Sequence, residues 1–363
     1  MRSSIFSSEP LRDIPQTQWT AVMALAVIVF VSALGAWEIY WRSEWFVPSY
    51  RNSDGLWAMT RDRIDDEDGR GVAIVGSSRV FFDINLETWR DVTGAVPIQL
   101  ALEGTNPRPY LSHIAKDTNF SGLVVVGVTD PLFFPPATGL RASVINAYRN
   151  RTPAERMGQW LSMHMVEPYL AFYDPDIALF TILRRQPFWP ARAGMAPVYP
   201  EVRKLANLRV TRQADMWNKV SDNPAYRDVA RGIWISFLNA PRPAPPPPDV
   251  AQRHMSTLLA EVAADVQAIR ARGGEVVFVR APSSGPFREA EAQGFPREHT
   301  WDPLLAATGA VGVHFEDHAD LQDFELPEWS HIRADQTDRF TRALLQHLRD
   351  ALAAAGRARA ELQ

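Results

Sequence analysis

Two clusters near opposite ends of the chain hold the residue types of nucleophilic catalysis. Gly76-Ser77-Ser78-Arg79 follows the apolar run Val72–Val75, and Glu328-Trp329-Ser330-His331 lies far toward the C-terminus. A serine hydroxyl is a weak nucleophile until a base accepts its proton, and the base needs a third group to hold its tautomer. Glu328 and His331 are three apart and share one side of a turn, so the carboxylate can orient the imidazole. A buried strand that ends in Gly and small hydroxyl residues leaves a hydroxyl at the carboxyl edge of a sheet, where open α/β sheets bind ligands. Each cluster alone also has a purely structural reading. Gly/Ser-rich turns form for backbone reasons, and acid-x-x-His recurs by chance in a chain with 42 acidic residues.

Positioning these groups requires a sheet. Short apolar runs at 72–75, 96–101, 123–128, 276–279 and 311–315 have the length and β-branched content of buried parallel strands. Helical stretches intervene: 254–272 carries Leu258, Leu259, Val262, Val266 and Ile269 at helical spacing before Gly273-Gly274, and 335–355 closes the chain. Alternation of this kind predicts an α/β three-layer sandwich with a mostly parallel five-stranded sheet over 71–356. Residues 131–253 read as a helical, aromatic insertion, ending in the Pro-rich stretch 241–248 that acts as a stiff connector. Residues 357–363 read as a tail.

The remaining 70 N-terminal residues divide in three. From Trp19 to Trp41 the chain is almost wholly apolar, with Glu38 its one charged residue, which is long enough to cross a bilayer as a helix. Trp19 at one end and Trp37, Tyr40 and Trp41 at the other suit an interfacial aromatic belt. Residues 1–18 then form a cytoplasmic tail, 19–41 a transmembrane anchor and 42–70 a membrane-proximal stalk. A cleaved signal peptide is the competing reading, since Ala33-Leu34-Gly35 resembles a small-residue cleavage site. Arg2 and Arg12 precede the span while Arg42, Arg51, Arg61 and Arg63 follow it, so charge counting does not favour an inside N-terminus.

Composition excludes several classes. The 363 residues carry no cysteine, which removes thiol catalysis, disulfides and thiolate metal sites. A net charge of −4 without a basic tract argues against nucleic acid as a partner. Twelve tryptophans, many outside the expected sheet, read either as packing in helical insertions or as a surface for carbohydrate or lipid.

The order of these blocks resembles the SGNH (GDSL-like) hydrolase superfamily. The Gly-Asp-Ser block that follows the first strand in that family corresponds to Gly76-Ser77-Ser78, with Ser78 as nucleophile and Ser77 in place of the Asp. The oxyanion-hole Gly corresponds to Gly104. The Gly-x-Asn-Asp block corresponds to Gly127-Val128-Thr129-Asp130, where Thr129 replaces the Asn and Asn106 is the substitute donor from a neighbouring loop. The Asp-x-x-His block corresponds to Glu328-Trp329-Ser330-His331. The resemblance covers about 71–130 and 273–350 and implies a flavodoxin-like fold. It also implies a Ser78–His331–Glu328 triad, an oxyanion hole from Ser78, Gly104, Asn106 and Thr129, and no cofactor.

A membrane anchor before such a block resembles the extracytoplasmic branch that includes D-alanine transfer and polysaccharide O-acetylation proteins. That resemblance implies an esterase or O-acyltransferase at the inner membrane with its domain in the periplasm. Its substrates would be a cell-envelope glycan and an acyl donor, and a multi-span membrane O-acyltransferase would be a partner. The alternative is a non-catalytic scaffold with a degenerate hydrolase fold.

Other residues compete for roles. Arg79 reads as an anion-binding group beside the nucleophile or as a salt-bridge partner of Asp83 or another acid. Arg280, after the fourth strand, reads as part of the substrate pocket or of a turn. The cluster 314–320 holds His314, Glu316, Asp317, His318 and Asp320, ligand types for a metal, but strand alternation sends the two histidines into different surroundings. No metal site is assigned. Asp65-Asp66-Glu67-Asp68 reads as a solvated turn or a cation site. Asp323 is the fallback acid, and His113, His164, His254, His299 and His347 read as surface or packing residues without paired acids.

Overall fold

The computed structural model describes residues 18–66, 69–136, 141–185, 201–241 and 244–363. Among these residues seven strands follow one another along the chain: β1 (Val72–Val75), β2 (Ile98–Gln99), β3 (Leu123–Gly127), β4 (Ala206–Leu208), β5 (Ala214–Met216), β6 (Glu275–Arg280) and β7 (Val311–His314). Five of them form one parallel sheet in the order β2-β1-β3-β6-β7. Runs such as Leu123-Val124-Val125-Val126 are apolar at every position because both faces of the sheet are covered. The in-phase register sends Ala73, Val75, Val124, Val126, Val276 and Phe278 to one face, against helices Asp54–Asp66, Arg108–Asp117 and Pro248–Arg270. The amphipathic helix Thr337–Ala354 packs beside β7 and the helices Ser78–Asp83 and Leu86–Thr93. The protein is therefore α/β with a five-stranded parallel sheet.

Several boundaries differ from the sequence reading. The helix expected over 254–272 runs from Pro248 to Arg270, beginning inside the expected insertion, and the strand expected over 96–101 is only Ile98–Gln99. Residues 54–66 do not form part of a stalk. Helix Asp54–Asp66 buries Trp57 and Ile64 in the core, and Trp57 Nε1 donates to the Leu100 carbonyl at 3.0 Å. The insertion between β3 and β6 is not only helical, since β4 and β5 pair as an antiparallel hairpin. Arg212 at its turn is fully buried and donates to the carbonyls of Gln99 and Ala101 at 2.9 and 2.7 Å, which pins the insertion to the carboxyl end of β2. The C-terminal residues are also packed: Leu362 is buried and its carbonyl accepts from Arg349 Nε. Residues 1–17, the Glu67-Asp68 half of the acidic run, and parts of the insertion and Pro-rich connector lie outside the described residues.

Helix Trp19–Ser43 is long and apolar enough to cross a membrane, and none of its residues is buried. At its C-terminal end Trp37 stacks on Tyr40, Trp41 meets both edge-on, and Phe46 just beyond the helix packs edge-on against Trp41. Among the described residues, those up to Phe46 and those from Val47 onward form two separate compact units.

The carboxyl ends of β1 and β3 meet the helix that follows β1 at very close range. A Cβ added to Gly76 would lie 2.2 Å from Val80 Cγ2, and one added to Gly127 would lie 2.4 Å from the same atom. The two glycines therefore let the first turn of helix Ser78–Asp83 settle onto the sheet edge, which sets the position of Ser78.

Candidate active site

β1 ends at Val75, Gly76 and Ser77 carry the chain over the sheet edge, and Ser78 opens the helix. The two serines have different surroundings. Ser77 is buried, and its hydroxyl lies 2.5 Å from the Thr129 hydroxyl, tying the loops after β1 and β3 together. Ser78 lines a cavity of about 790 Å³ together with Gly104, Thr129 and His331. The cavity walls include Phe81, Phe82, Leu132, Trp234, Phe237 and Phe287.

The acid–histidine loop comes from the far end of the chain. Glu328 is fully buried, and its Oε1 accepts both the backbone N–H of His331 and Nδ1 of the same residue, each at 2.8 Å. Its Oε2 accepts from Trp234 Nε1 at 2.6 Å. Burial pushes the Glu328 carboxyl up. The neighbouring His331 and the hydrogen bonds from His331 and Trp234 outweigh this and hold it below the usual range. An ionised Glu328 accepts from Nδ1–H, which turns Nε2 away from the carboxylate. The His331 ring stacks on Phe82 at 4.2 Å, and Nε2 has no hydrogen-bond partner among the described residues. Ser78 and His331 thus share a cavity wall without a hydrogen bond between them in the resting state.

The loop is held in a strained turn. Trp329 lies in the left-handed region at φ 72°, where a bulky residue is an outlier. Its carbonyl accepts from the Ser284 N–H at 2.9 Å, and its ring packs under Arg231. Arg231 Nε donates to the Pro327 carbonyl at 2.8 Å. Helix Pro224–Leu238 of the insertion therefore clamps the loop through Arg231 and supplies Trp234 to its carboxylate. Neither contact has a local signal in the sequence, because the partners lie 94 and 96 positions further along the chain.

The two arginines read as substrate-binding candidates are both ion-paired. Arg79 takes its salt-bridge alternative, with Glu291 rather than Asp83 as the acid, and its Nε lies 3.5 Å from the Ser330 hydroxyl. Arg280 donates to Asp130 at 2.8 Å and to Glu291 at 2.5 Å. Glu291 also accepts from the Ser283 hydroxyl at 2.7 Å. Arg79 and Glu291 reach the cavity wall, whereas Arg280 does not. Among the oxyanion candidates, Gly104 stands at φ 58° with its backbone at the cavity, and Thr129 lines it while bonded to Ser77. Asn106 is buried outside the cavity lining, where its Oδ1 accepts from the Arg108 N–H at 3.0 Å.

Asp83 is a site residue that sequence reasoning did not assign. It is fully buried, its Oδ1 accepts from the Ile332 N–H at 2.9 Å, and its Oδ2 has no partner among the described residues. Burial pushes its carboxyl up to about 7 against the pull of His331, the Ile332 N–H and Arg79, with Glu328 adding to the rise. A folded-state value above the ordinary 3.8 means that stability is lost as pH rises through the interval between them. Asp83→Asn keeps an acceptor for Ile332 and abolishes the titration. The variant is expected to match the parent in melting temperature near pH 4 and to exceed it by several degrees near pH 8. A constant difference across that range in a pH series of thermal melts would remove Asp83 as the titrating group.

The rival sites separate as follows. His314 is buried against Trp301 and Phe315, with Nδ1 accepting from the Glu316 N–H, while His318 stacks on His347. Among the described residues no group of three or more His, Asp or Glu side chains is arranged to hold a metal ion. His113 and His347 do have paired acids, Asp117 and Asp320. Asp323 is exposed and pairs loosely with Arg339, which leaves Glu328 as the acid on His331.

Comparison with family models, with curated proteins and with solved structures returned no match.

Proposed function

We propose that this chain is a membrane-anchored serine esterase or O-acyltransferase of the SGNH type. In this reading helix Trp19–Ser43 holds it in the inner membrane and the α/β domain works in the periplasm on a cell-envelope polysaccharide. One observation carries the reading. A buried Glu328 carboxylate orients His331 so that a bare Nε2 remains beside the cavity that Ser78 also lines. The strand order β2-β1-β3-β6-β7 supports a flavodoxin-like arrangement, with the site at the carboxyl edge of the sheet.

Chemically, Ser78 Oγ attacks an ester carbonyl while His331 Nε2 takes its proton and Glu328 stabilises the imidazolium. Backbone N–H groups of Ser78 and Gly104, with the Thr129 hydroxyl, receive the tetrahedral oxyanion. His331 returns the proton to the departing alcohol, leaving an acyl group on Ser78. Water or a sugar hydroxyl then attacks the acyl-enzyme with the same base. An acetyl group displaces only about two to three water volumes of about 30 Å³ each. The cavity, at about 790 Å³, has room for an acceptor sugar beside it. A multi-span O-acyltransferase is the acyl-donating partner this reading calls for.

A second reading, a non-catalytic scaffold, is favoured by the missing Ser78–His331 hydrogen bond. Catalytic hydrogen bonds are often loose in apo enzymes and tighten with substrate. Treating the full chain with a fluorophosphonate and mapping the adduct decides between them. Adduct on Ser78 is the expected result. A folded chain that neither labels nor turns over p-nitrophenyl esters is a scaffold.

A further inference from the structure

Helix Pro153–Met165, in the insertion, has its amphipathicity reversed. A surface helix normally turns its apolar stripe toward its own domain and its polar face toward water. Here the residues facing the domain are largely polar. Gln159 Oε1 accepts from Ser53, Ser162 donates to Glu167, and Met163 is the one buried residue. The stripe on the opposite side holds Met157, Trp160, Leu161 and Met165, at the spacing i, i+3, i+4, i+8. Their exposures are 58%, 47%, 42% and 64%. The His164 ring stacks on Trp160 within the same stripe at 4.6 Å. Further along, Leu179 and Phe180 are 61% and 80% exposed. Scattered exposed hydrophobics need no explanation, but an ordered outward stripe with a tryptophan at its centre marks an interaction surface.

We infer that this stripe lies in the interface of the lipid bilayer, as a second membrane contact beyond the N-terminal span. The inference rests on the membrane-anchored reading above, and its occupant follows from chain length. The apolar helix ends at Ser43, and Tyr50 is already tied to the domain through its N–H to the Leu208 carbonyl at 2.9 Å. The seven intervening steps reach at most about 25 Å when extended. The domain is thus tethered within its own dimensions of the bilayer, and the membrane is the apolar surface it meets most often. Trp and Met on the outward face, with Arg156 beside the stripe, match the composition of helices that lie in the headgroup region. Such a contact limits rotation of the domain about its tether and keeps one side of the insertion toward lipid.

The chain contains no cysteine, so a single introduced thiol carries a nitroxide without background. Leu161→Cys and Met157→Cys report the stripe, and Asp350→Cys, exposed on helix Thr337–Ala354, is the control. The full chain is reconstituted in vesicles of phosphatidylethanolamine with a minority of phosphatidylglycerol. Collisional access is read with oxygen, which partitions into lipid, and with a nickel chelate, which does not. The expected result is an oxygen-to-nickel ratio higher by about threefold or more at 157 and 161 than at 350. Equal ratios at all three sites overturn the inference. Exclusion of both relaxants at 161 also overturns it, because a protein then covers the stripe, and dependence on protein-to-lipid ratio identifies that protein as a second copy. Release of the chain by an alkaline carbonate wash signals failure of the anchored reading instead. The two positions share one face, so loss of one variant to misfolding leaves the other to decide.

Discussion

Ser78→Ala is expected to lower kcat on a p-nitrophenyl ester by about 10³-fold or more, while Ser77→Ala keeps activity within about tenfold of the parent. The contrast comes from burial rather than from sequence position. Ser78 stands at the cavity wall with His331, whereas Ser77 is 1% exposed and its hydroxyl is committed to Thr129. Ala at 77 loses that hydrogen bond and leaves the Thr129 hydroxyl without its partner, at a cost of about 1–3 kcal/mol. Part of the modest rate loss follows from movement of Thr129 at the oxyanion position. The reverse pattern, with activity surviving at 78 and vanishing at 77, moves the nucleophile to Ser77. Glu328→Gln provides a second arm, because an amide in place of the carboxylate no longer stabilises the imidazolium. It also permits the wrong tautomer, a change worth about 10⁴-fold where it has been isolated in serine proteases. Steady-state kinetics of the three variants against the parent, each with its melting temperature recorded, separates chemical loss from unfolding.

The turns at Gly76–Ser78 and Glu328–His331 were legible because each is local: a few residues of distinctive type beside a strand or before a helix. The strands were legible for a similar reason, since a continuous run such as Leu123-Val124-Val125-Val126 admits few alternatives to a doubly covered strand. Helix Asp54–Asp66 was not, because its buried stripe includes Thr60 and Arg61 beside Leu56, Trp57 and Ile64 and runs into an acidic end. Arg61 is buried only because His113 and Asp65 receive its guanidinium. The β4–β5 hairpin leaves no local mark, because its three-residue strands are too short for a period of two to register. What surrounds the site was hidden for a deeper reason. Trp234, Asp83 and Glu291 owe their roles to partners 94, 249 and 212 positions away, respectively. No local pattern encodes such pairings, so the sequence left Arg79 between substrate and an unnamed acid, and Arg280 between pocket and turn, where the fold matches both to Glu291.

Those pairings make Glu291→Ala the substitution with the largest expected effect on stability. Glu291 is buried and receives Arg79, Arg280 and Ser283 at once. Burial alone raises its carboxyl, but the two guanidinium groups and the hydrogen bonds bring it from 4.5 down to about 2. A fall of that size corresponds to about 3 kcal/mol of differential interaction. Removing one member of a buried ion cluster costs about 3–5 kcal/mol, because the stranded charges stay desolvated. Here the stranded charge is the Arg79 guanidinium, since Arg280 still has Asp130. A drop of about 5–10 °C in melting temperature at neutral pH follows for a domain of this size.

The pH dependence supplies the sign. A carboxyl depressed in the folded state stabilises fully above its unfolded value of 4.5 and loses that contribution as pH falls toward 2. The gap between parent and variant is therefore widest near neutrality and narrows on acidification. Glu291→Gln, which keeps an acceptor for Ser283 but not the charge, is expected to fall between the two. The effect reaches the chemistry as well, because Arg79 follows Ser78 directly and its Nε approaches Ser330, the neighbour of His331. Nucleophile turn and histidine loop thus lean on one buried carboxylate. At temperatures where the variant is still folded, a loss of about 10- to 100-fold in kcat is the consequence of their displacement. A variant that melts within about 1 kcal/mol of the parent and retains its acid sensitivity would mean that solvent reaches the cluster and that Arg79 is free for substrate after all.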